Sequence, residues 1–187
     1  PGVLTDATAE LAVTLLLMVA RRAGAGEREL RAGRWTGWRP THLLGTGLTG
    51  KTLGIVGMGR IGQATALRLQ LGWGMRVLYH SRSKHGEQGT AHGARWVELD
   101  QLLAESDVVS LHVPATPSTK HLIDARRLAL MKPSAFFINT ARGDVVDEAA
   151  LVAALEAGTI GGAGLDVYER EPAVHPALLG MENVVLL

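Results

Sequence analysis

Short apolar runs alternate with stretches of helical periodicity over most of this sequence, from residue 51 onwards. The apolar runs have the length of buried strands, and the stretches between them repeat apolar residues every three or four positions. Fully apolar strands that alternate with helices are typical of a parallel sheet covered on both faces. The predicted strands are 52–56, 76–79, 95–97, 108–111, 135–138, 163–167 and 184–186. The predicted helices are 61–71, 99–105, 124–130 and one that Asp147 caps and that runs to Ala157.

Two segments of different character precede this alternation. Residues 3–22 are predicted to form one long amphipathic helix. That helix places four apolar residues on a shared face, namely Leu4, Leu11, Leu15 and Met18. Residues 24–50 are rich in Gly and Arg and form an irregular arm, for which we predict a short helix at 27–33. The fold class is therefore α/β, a doubly wound parallel sheet preceded by a long helix and an arm.

Composition narrows the class of protein. The 187 residues suit one domain, and the 47% hydrophobic share is ample for a packed core. Nineteen basic and eighteen acidic residues give a net charge of +1, which argues against a nucleic-acid binder. The absence of Cys excludes disulfides, thiol catalysis and Cys-based zinc sites, and fits a cytoplasmic protein. We predict no metal site.

No segment is predicted to cross a membrane. The longest apolar run, Leu11–Ala20, is about half as long as the roughly 20 residues that a membrane-spanning helix needs. Acidic residues precede this run and two arginines follow it, which is the reverse of the charge order in a signal peptide. We therefore expect no membrane partner.

A glycine-rich loop joins the first predicted strand of the alternation to the first helix. Its residues are Gly57, Met58, Gly59, Arg60, Ile61 and Gly62. The first Gly permits a tight turn, the second lets the backbone approach a pyrophosphate, and the third lets the helix pack on the strand. The helix N-terminus then offers N–H groups to the anion. This context predicts a Rossmann-type dinucleotide site, and the alternative is a structural turn without a ligand.

The end of the second strand bears on the choice of cofactor. A site for NAD usually has an acidic residue there, which binds the ribose 2′-hydroxyl. This sequence has instead His80, Ser81, Arg82, Ser83 and Lys84. No Asp or Glu occurs from Leu30 to Gly86, whereas nine Arg and Lys do. Because Arg82 can bind a 2′-phosphate with help from Ser81 and Ser83, we predict that NADP(H) is preferred, with NAD(H) as the alternative.

Three further segments follow the carboxyl ends of strands, where open α/β sheets bind ligands. They are Ser110–Pro114, Asn139–Glu148 (NTARGDVVDE) and Gly164–Pro172 (GLDVYEREP). Together with the glycine loop, the last two resemble the signatures of the D-2-hydroxyacid dehydrogenase family in order and spacing. The opening PGVLTDATAE is similar to the glyoxylate/hydroxypyruvate reductase branch. The resemblance covers essentially the whole chain.

The resemblance implies a role for several residues. Arg142 matches the catalytic Arg that holds the carboxylate and carbonyl oxygen of a 2-oxo acid. Glu171 matches the carboxylate that binds the catalytic His, and Asp166 matches the residue that binds the nicotinamide carboxamide. Thr140 and Ala141 match further contacts to the nicotinamide half. Three residues are expected on the adenine side, namely Val113, Pro114 and Thr119.

The resemblance also implies how the chain is organised. We expect residues 1–187 to be the dinucleotide-binding domain of a longer reductase, without its substrate domain and without the general-acid His. Within it, residues 1–23 match a helix that crosses between domains, and 51–187 match the Rossmann core. The arm at 24–50 is expected to contact a second subunit in a homodimer, with Trp35 and Trp38 as contact residues.

Other interpretations compete with this one. The fold also occurs in non-catalytic NAD(H)-binding regulators of the corepressor type and in other Rossmann enzymes such as methyltransferases. Each catalytic candidate has a structural alternative as well: Arg142 as an ion pair with Asp144, Asp166 as a turn cap, and Glu171 as an ordinary exposed carboxylate. The resemblance to the reductase branch implies that the whole enzyme reduces glyoxylate or hydroxypyruvate to the D-2-hydroxy acid by hydride transfer from NAD(P)H.

Overall fold

A computed structural model describes residues 2–82 and 93–187, and its described strands form one parallel sheet. The strands are β1 Thr52–Val56, β2 Arg76–His80, β3 Arg95–Trp96, β4 Val108–Leu111, β5 Phe136–Asn139, β6 Gly162–Leu165 and β7 Val184–Leu186. Their order across the sheet is β3-β2-β1-β4-β5-β6-β7. The direction of winding therefore reverses between β1 and β4, which is where doubly wound sheets open a crevice for ligands.

Helices cover both faces of this sheet. They are α1 Thr5–Ala20, α2 Ala23–Arg31, α3 Arg60–Trp73, α4 Leu99–Glu105, α5 Ala125–Leu128, α6 Glu148–Glu156 and α7 Pro176–Gly180, with a 3-10 helix at Gly143–Val145. One core cluster joins α1 and α3 to the sheet, and a second joins α4, α5 and α6 to the opposite face. The predicted fold class, a Rossmann-type doubly wound sheet, is confirmed.

Most predicted elements lie where the sequence placed them, and the differences have local causes. Asp147 caps α6 by accepting a hydrogen bond from the Ala150 N–H at 3.0 Å, as predicted. The strand predicted to end at residue 167 ends at Leu165, because the chain then turns into a loop. The helix predicted over 124–130 is a single turn. The short helix predicted at 27–33 lies at 23–31, and α7 was not predicted.

Helix α1 packs directly on the sheet through small residues of β6. A Cβ atom on Gly164 would lie 2.9 Å from Leu15 Cβ, and one on Gly162 would lie 2.9 Å from Val19 Cγ2. The buried face of the helix consists of Ala9, Ala12, Leu15, Leu16, Val19 and Ala20. The prediction that Leu4 belongs to that face is wrong, because Leu4 precedes the helix and is 70% exposed.

Two structural absences hold for the described residues. Of the helices within 2–82 and 93–187, none is both long and apolar enough to traverse a bilayer. In the same two ranges, no three His, Asp or Glu side chains are grouped so that they could hold a metal ion.

The core between α4 and the sheet predicts that truncating a buried leucine lowers the free energy of unfolding more than truncating an exposed one. Leu102 is 0% exposed and packs against β1 at Gly54, whereas Leu71 on α3 is 73% exposed. Leu102→Ala should lower the free energy of unfolding by about 2–5 kcal/mol, because it removes buried methyl groups and leaves a cavity. The matched Leu71→Ala should lower it by about 0.5 kcal/mol or less. Urea denaturation measures both, and equal losses would contradict this assignment of the core.

Candidate functional site

The loops that follow β1, β2, β4 and β5 meet at the point where the sheet order reverses. The Gly57 N–H donates to the His80 carbonyl at 2.8 Å, which joins the end of β1 to the end of β2. The His112 N–H donates to the Val56 carbonyl at 2.8 Å and joins β4 to β1 in the same way. Residues far apart in sequence therefore line one continuous edge of the sheet.

The three glycines of the loop after β1 have different surroundings, and two of them leave no space for a side chain. Gly57 has φ +98, and a Cβ atom there would lie 2.6 Å from the His112 carbonyl oxygen. A Cβ atom on Gly62 would lie 2.2 Å from the Gly57 carbonyl oxygen, so α3 can approach the loop only with Gly at this position. Gly59 faces open space, with no atom within 4 Å of its Cβ position. The backbone at Gly59 is thus accessible to a ligand.

The N-terminus of α3 points at this accessible backbone. No side chain caps the helix at Gly59, so N–H groups of its first turn remain available to an anion. The 14-residue length of α3 gives its N-terminus the positive end of a helix dipole. The Met58 side chain is fully buried in the core, so Met58 can contribute to a ligand only through its backbone.

A cleft of about 260 Å³ opens beside the glycine loop. It is lined by Gly57, Met58, Gly59, Ser81, Arg82, His112, Val113, Pro114, Thr116, Ser118 and Thr119. The Trp96 indole N–H donates to the Ser81 carbonyl at 3.2 Å and fixes the start of the loop after β2. Arg82 is exposed at its rim. Ser83, which we also predicted as a binding residue, lies outside the described residues.

The Thr119 side chain holds this cleft's outer wall in shape. Its hydroxyl donates to the Pro114 carbonyl at 2.7 Å and accepts from the Thr116 N–H at 2.8 Å. These bonds close the loop after β4 on itself. Thr119 lines the cleft, as expected, and its hydroxyl is hydrogen-bonded to the backbone of its own loop.

A second cavity of about 530 Å³ continues from the first towards β5. It is lined by Leu4, Thr8, Ile61, His112, Val113, Pro114, Ala115, Thr140, Ala141 and Arg142. The Thr140 hydroxyl oxygen is buried and has no hydrogen-bond partner among the described residues. A buried hydroxyl without a partner is costly, so this oxygen marks a place where a polar ligand would be favoured.

Asn139 braces the segment that carries Arg142. Its side-chain oxygen accepts from the Ala141 N–H at 3.0 Å, and its amide donates to the Arg142 carbonyl at 3.1 Å. The Arg142 guanidinium is exposed at the cavity, where its Nη1 donates to the Ala141 carbonyl at 2.6 Å. No ion pair joins Arg142 to Asp144 in the described chain, contrary to the structural alternative for this residue. The charge of Arg142 is available to an anionic ligand.

Asp166 and Glu171 lie on the next loop, after β6. The Asp166 N–H donates to the Asn139 carbonyl at 3.0 Å, so this loop starts beside the segment that carries Arg142. Burial raises the pKa of Asp166, and the negative charge of Glu171 raises it further. Glu171 is exposed and accepts a hydrogen bond from the Tyr168 N–H at 3.0 Å. Two carboxylates thus lie next to the guanidinium-bearing segment.

The first residues of the chain also contribute to the site, which the sequence pattern did not predict. A third cavity of about 270 Å³ is lined by Gly2, Leu4, Thr5, Gly59, Arg60, Ile61 and His112. It lies between the start of α1 and the start of α3. Helical periodicity in the sequence does not predict this cavity, because the cavity depends on how α1 lies across the sheet.

His112 was also missed as a site residue, although it lies in a motif that we singled out. It lines all three cavities. Its Nε2 is hydrogen-bonded to the Ser110 hydroxyl at 2.9 Å, and burial lowers its pKa to about 4. The imidazole is therefore neutral at physiological pH. Its position directly after a buried strand was the signal that could have identified it.

Known proteins match this chain over its whole length. A glyoxylate reductase from Thermococcus litoralis is 54% identical over 190 aligned residues, which are 100% of this chain and 57% of the relative. A protein of solved structure from Thermus thermophilus, TT0316, is 50% identical with a TM-score of 0.93 over 100% of this chain and 58% of its own. The chain therefore spans a little over half the length of these relatives.

A third relative was solved with ligands. It is an NADPH-dependent glyoxylate/hydroxypyruvate reductase from Sinorhizobium meliloti in complex with NADP and malonate, with 42% identity and a TM-score of 0.91. The match covers 100% of this chain and 57% of that one. Residues 13–187 also fit the family description "D-isomer specific 2-hydroxyacid dehydrogenase, NAD binding domain". The chain belongs to the D-isomer specific 2-hydroxyacid dehydrogenases, as the NAD-binding domain of that family.

Proposed function

We propose that the complete protein reduces a small 2-oxo acid, glyoxylate or hydroxypyruvate, to the D-2-hydroxy acid with NAD(P)H, and that this chain binds the nucleotide. The observation that carries the proposal is the placement of Arg142. Arg142, which is exposed, lines the 530 Å³ cavity, and so does Thr140, whose buried hydroxyl has no hydrogen-bond partner among the described residues. A planar cation with two donors suits the adjacent oxygens of a 2-oxo acid.

The residues present fit a nicotinamide dinucleotide. The open backbone at Gly59 and the uncapped start of α3 suit the pyrophosphate. The cleft with Ser81 and Arg82 suits the adenosine half, and the cavity with Thr140 suits the nicotinamide half. When bound, the reduced nicotinamide supplies a hydride to the carbonyl carbon of the substrate.

The chain's own residues then position the reactants. Arg142 orients the carboxylate of the 2-oxo acid and polarises its carbonyl oxygen. Asn139 holds the Arg142 segment through two hydrogen bonds, so the guanidinium starts from a fixed backbone. Asp166 would hold the nicotinamide carboxamide by accepting a hydrogen bond from it. Glu171 holds a protonated His from the remainder of the protein, and that His supplies the proton to the carbonyl oxygen.

The proposed cofactor is NADP(H) in preference to NAD(H). Ser81 and Arg82 follow the end of β2 and line the adenosine cleft, and Ser83 follows them in sequence. These side chains offer hydrogen-bond donors and a positive charge, which suit a 2′-phosphate better than a 2′-hydroxyl. The NADP-bound relative supports this choice.

A homodimer built through the arm is part of the proposal. Trp35 and Trp38 are both exposed, as are Leu30 and Leu44 nearby in sequence. Exposed large apolar side chains in one segment favour a protein partner. A cytoplasmic location stays a prediction. The relatives are named as reductases, which gives the corepressor-type alternative no support.

The first test concerns the nucleotide selector. Arg82→Ala should weaken NADPH binding by about tenfold and change NADH binding by less than about twofold, since only NADPH carries the 2′-phosphate. Nucleotide fluorescence titration of the purified chain measures both constants. Arg126→Ala, which removes an exposed arginine on α5, serves as the charge-matched control. Equal losses for the two nucleotides would remove Arg82 as the selector.

The second test separates nucleotide contact from folding. Because Gly59 has open space at its Cβ position, Gly59→Ala should fold normally. It should nevertheless weaken NADPH binding by about tenfold or more, because the added methyl group obstructs the pyrophosphate. Gly72→Ala, also in open space but on the far part of α3, is the matched control. Unchanged NADPH affinity in Gly59→Ala would contradict the proposed pyrophosphate site.

The third test is the reaction itself. The complete protein should oxidise NADPH in the presence of glyoxylate, and Arg142→Lys should lower kcat/KM by about 100-fold, because Lys lacks the two-pronged geometry. NADPH affinity should stay unchanged in that variant. Arg126→Lys is the control. A complete protein that reduces no 2-oxo acid with either nucleotide would contradict the proposed function.

A further inference from the structure

Three loops of the site are tied together at a point outside the cavities. His121 ends the loop after β4, and its Nε2 donates to Glu169 Oε1 on the loop after β6 at 2.6 Å. The His121 backbone N–H donates to the Asp144 carbonyl, on the segment after β5, at 2.9 Å. One residue thus contacts both loops that carry the proposed catalytic side chains.

Glu169 is held from a second side by the start of α6. Its Oε2 accepts from the Glu148 N–H at 3.2 Å, and Glu148 Oε2 accepts from the Glu169 N–H at 3.1 Å. The carboxylate of Glu169 therefore lies at a helix N-terminus, where negative charge is stabilised. The hydrogen bond from His121 and the bond from the Glu148 amide lower the pKa of Glu169 against the opposing effect of burial.

The tied residues are immediate neighbours of the proposed catalytic ones. Gly143 follows Arg142, and a Cβ atom there would lie 1.9 Å from the Tyr168 carbonyl oxygen. The Tyr168 N–H in turn donates to Glu171 Oε1. The backbone beside Arg142 and the backbone that orients Glu171 are therefore in contact. A shift of the loop that bears Glu169 would move these two side chains relative to each other.

The backbone of His121 is held in an unfavourable conformation. Its φ is +47, a left-handed value that is uncommon for a residue with a side chain. Such a conformation persists only where surrounding contacts determine it, and the contacts here are those with Glu169 and Asp144.

Stability alone gives little reason for this arrangement. The side chains of His121 and Glu169 are 38% and 22% exposed, and ion pairs exposed to this degree add little to the free energy of unfolding. A small misplacement of a catalytic group, in contrast, has a large effect on rate. The arrangement is therefore better suited to fixing geometry.

We propose that the hydrogen-bonded pair of His121 and Glu169, which we call the clasp, fixes Arg142 relative to Glu171. His121 and Glu169 are then positioning residues for the reduction of the 2-oxo acid. This inference rests on the proposed function above. Neither residue lines the cleft beside the glycine loop, so nucleotide binding should not depend on the clasp.

The test uses four single variants of the complete protein and the double variant His121→Asn with Glu169→Gln. His121→Asn tolerates the left-handed backbone but is too short to reach Glu169, whereas His121→Gln keeps a donor near the position of Nε2. Glu169→Gln removes the charge from the other side of the clasp. Glu105→Gln, which breaks the exposed ion pair with Arg95 away from the site, is the matched control.

His121→Asn and Glu169→Gln should each lower kcat/KM for the 2-oxo acid by about tenfold, with NADPH affinity and Tm unchanged. The double variant should lose no more than either single variant, because both changes open the same clasp. His121→Gln should recover most of the activity. Hydrogen exchange at the Glu148 and Glu169 amides should become faster in His121→Asn, since these amides donate to the carboxylates of Glu169 and Glu148, and His121 holds the Glu169 carboxylate.

Two results would overturn the clasp. One is an active wild-type protein whose His121→Asn variant keeps its kcat/KM within about twofold, as the Glu105→Gln control should. The other is unchanged hydrogen exchange at both amides. If the wild-type protein reduces no 2-oxo acid, the proposed function fails by itself. Exchange then decides the clasp: faster exchange supports the link between the loops, and unchanged exchange overturns it.

Discussion

Contact between the backbones of neighbouring loops, at points where no Cβ atom fits, determines the shape of this site. Gly57 lies against the His112 carbonyl, Gly62 against the Gly57 carbonyl, and Gly143 against the Tyr168 carbonyl. The first and third contacts each join two loops that follow adjacent strands of the sheet. The second joins α3 to the loop that precedes it. Because close packing leaves these backbones no room to move, the sheet determines where the side chains beside the contacts begin.

The same constraint holds the two loops that carry the charged groups against each other. Arg142 precedes Gly143, and Asn139 closes the segment between β5 and Arg142. Asp166 begins where β6 ends and bonds back to Asn139. The segments that bear the guanidinium and Asp166 are therefore joined by hydrogen bonds of Asn139. A cation that is not neutralised by Asp144 remains free for an anionic ligand.

Local sequence determined the sheet and the glycine loop well, because each depends on short-range pattern. Strands β1, β4 and β7 have the predicted bounds, since a buried parallel strand must be apolar on both faces. The contribution of Leu4 to the cavities, in contrast, depends on how α1 crosses the sheet. Its exposure contradicts the amphipathic pattern, in which an apolar residue was expected to be buried.

Sequence patterns did not identify His112 and His121 as site residues. Both lie where segments distant in the chain meet, so no single segment of the sequence predicts their surroundings. His112 lies against Gly57 of the glycine loop and lines one cavity together with the start of α1. His121 contacts two loops from different strands. Both are histidines near strand ends, yet their environments differ in charge. His112 has no carboxylate partner among the described residues, and burial keeps its imidazole neutral. His121 faces Glu169 and donates a hydrogen bond to its carboxylate. The neutral ring of His112 suits a cleft that already offers positive helix-terminal charge. The negative charge of Glu169 lies outside that cleft, where it joins loops without repelling an anionic ligand.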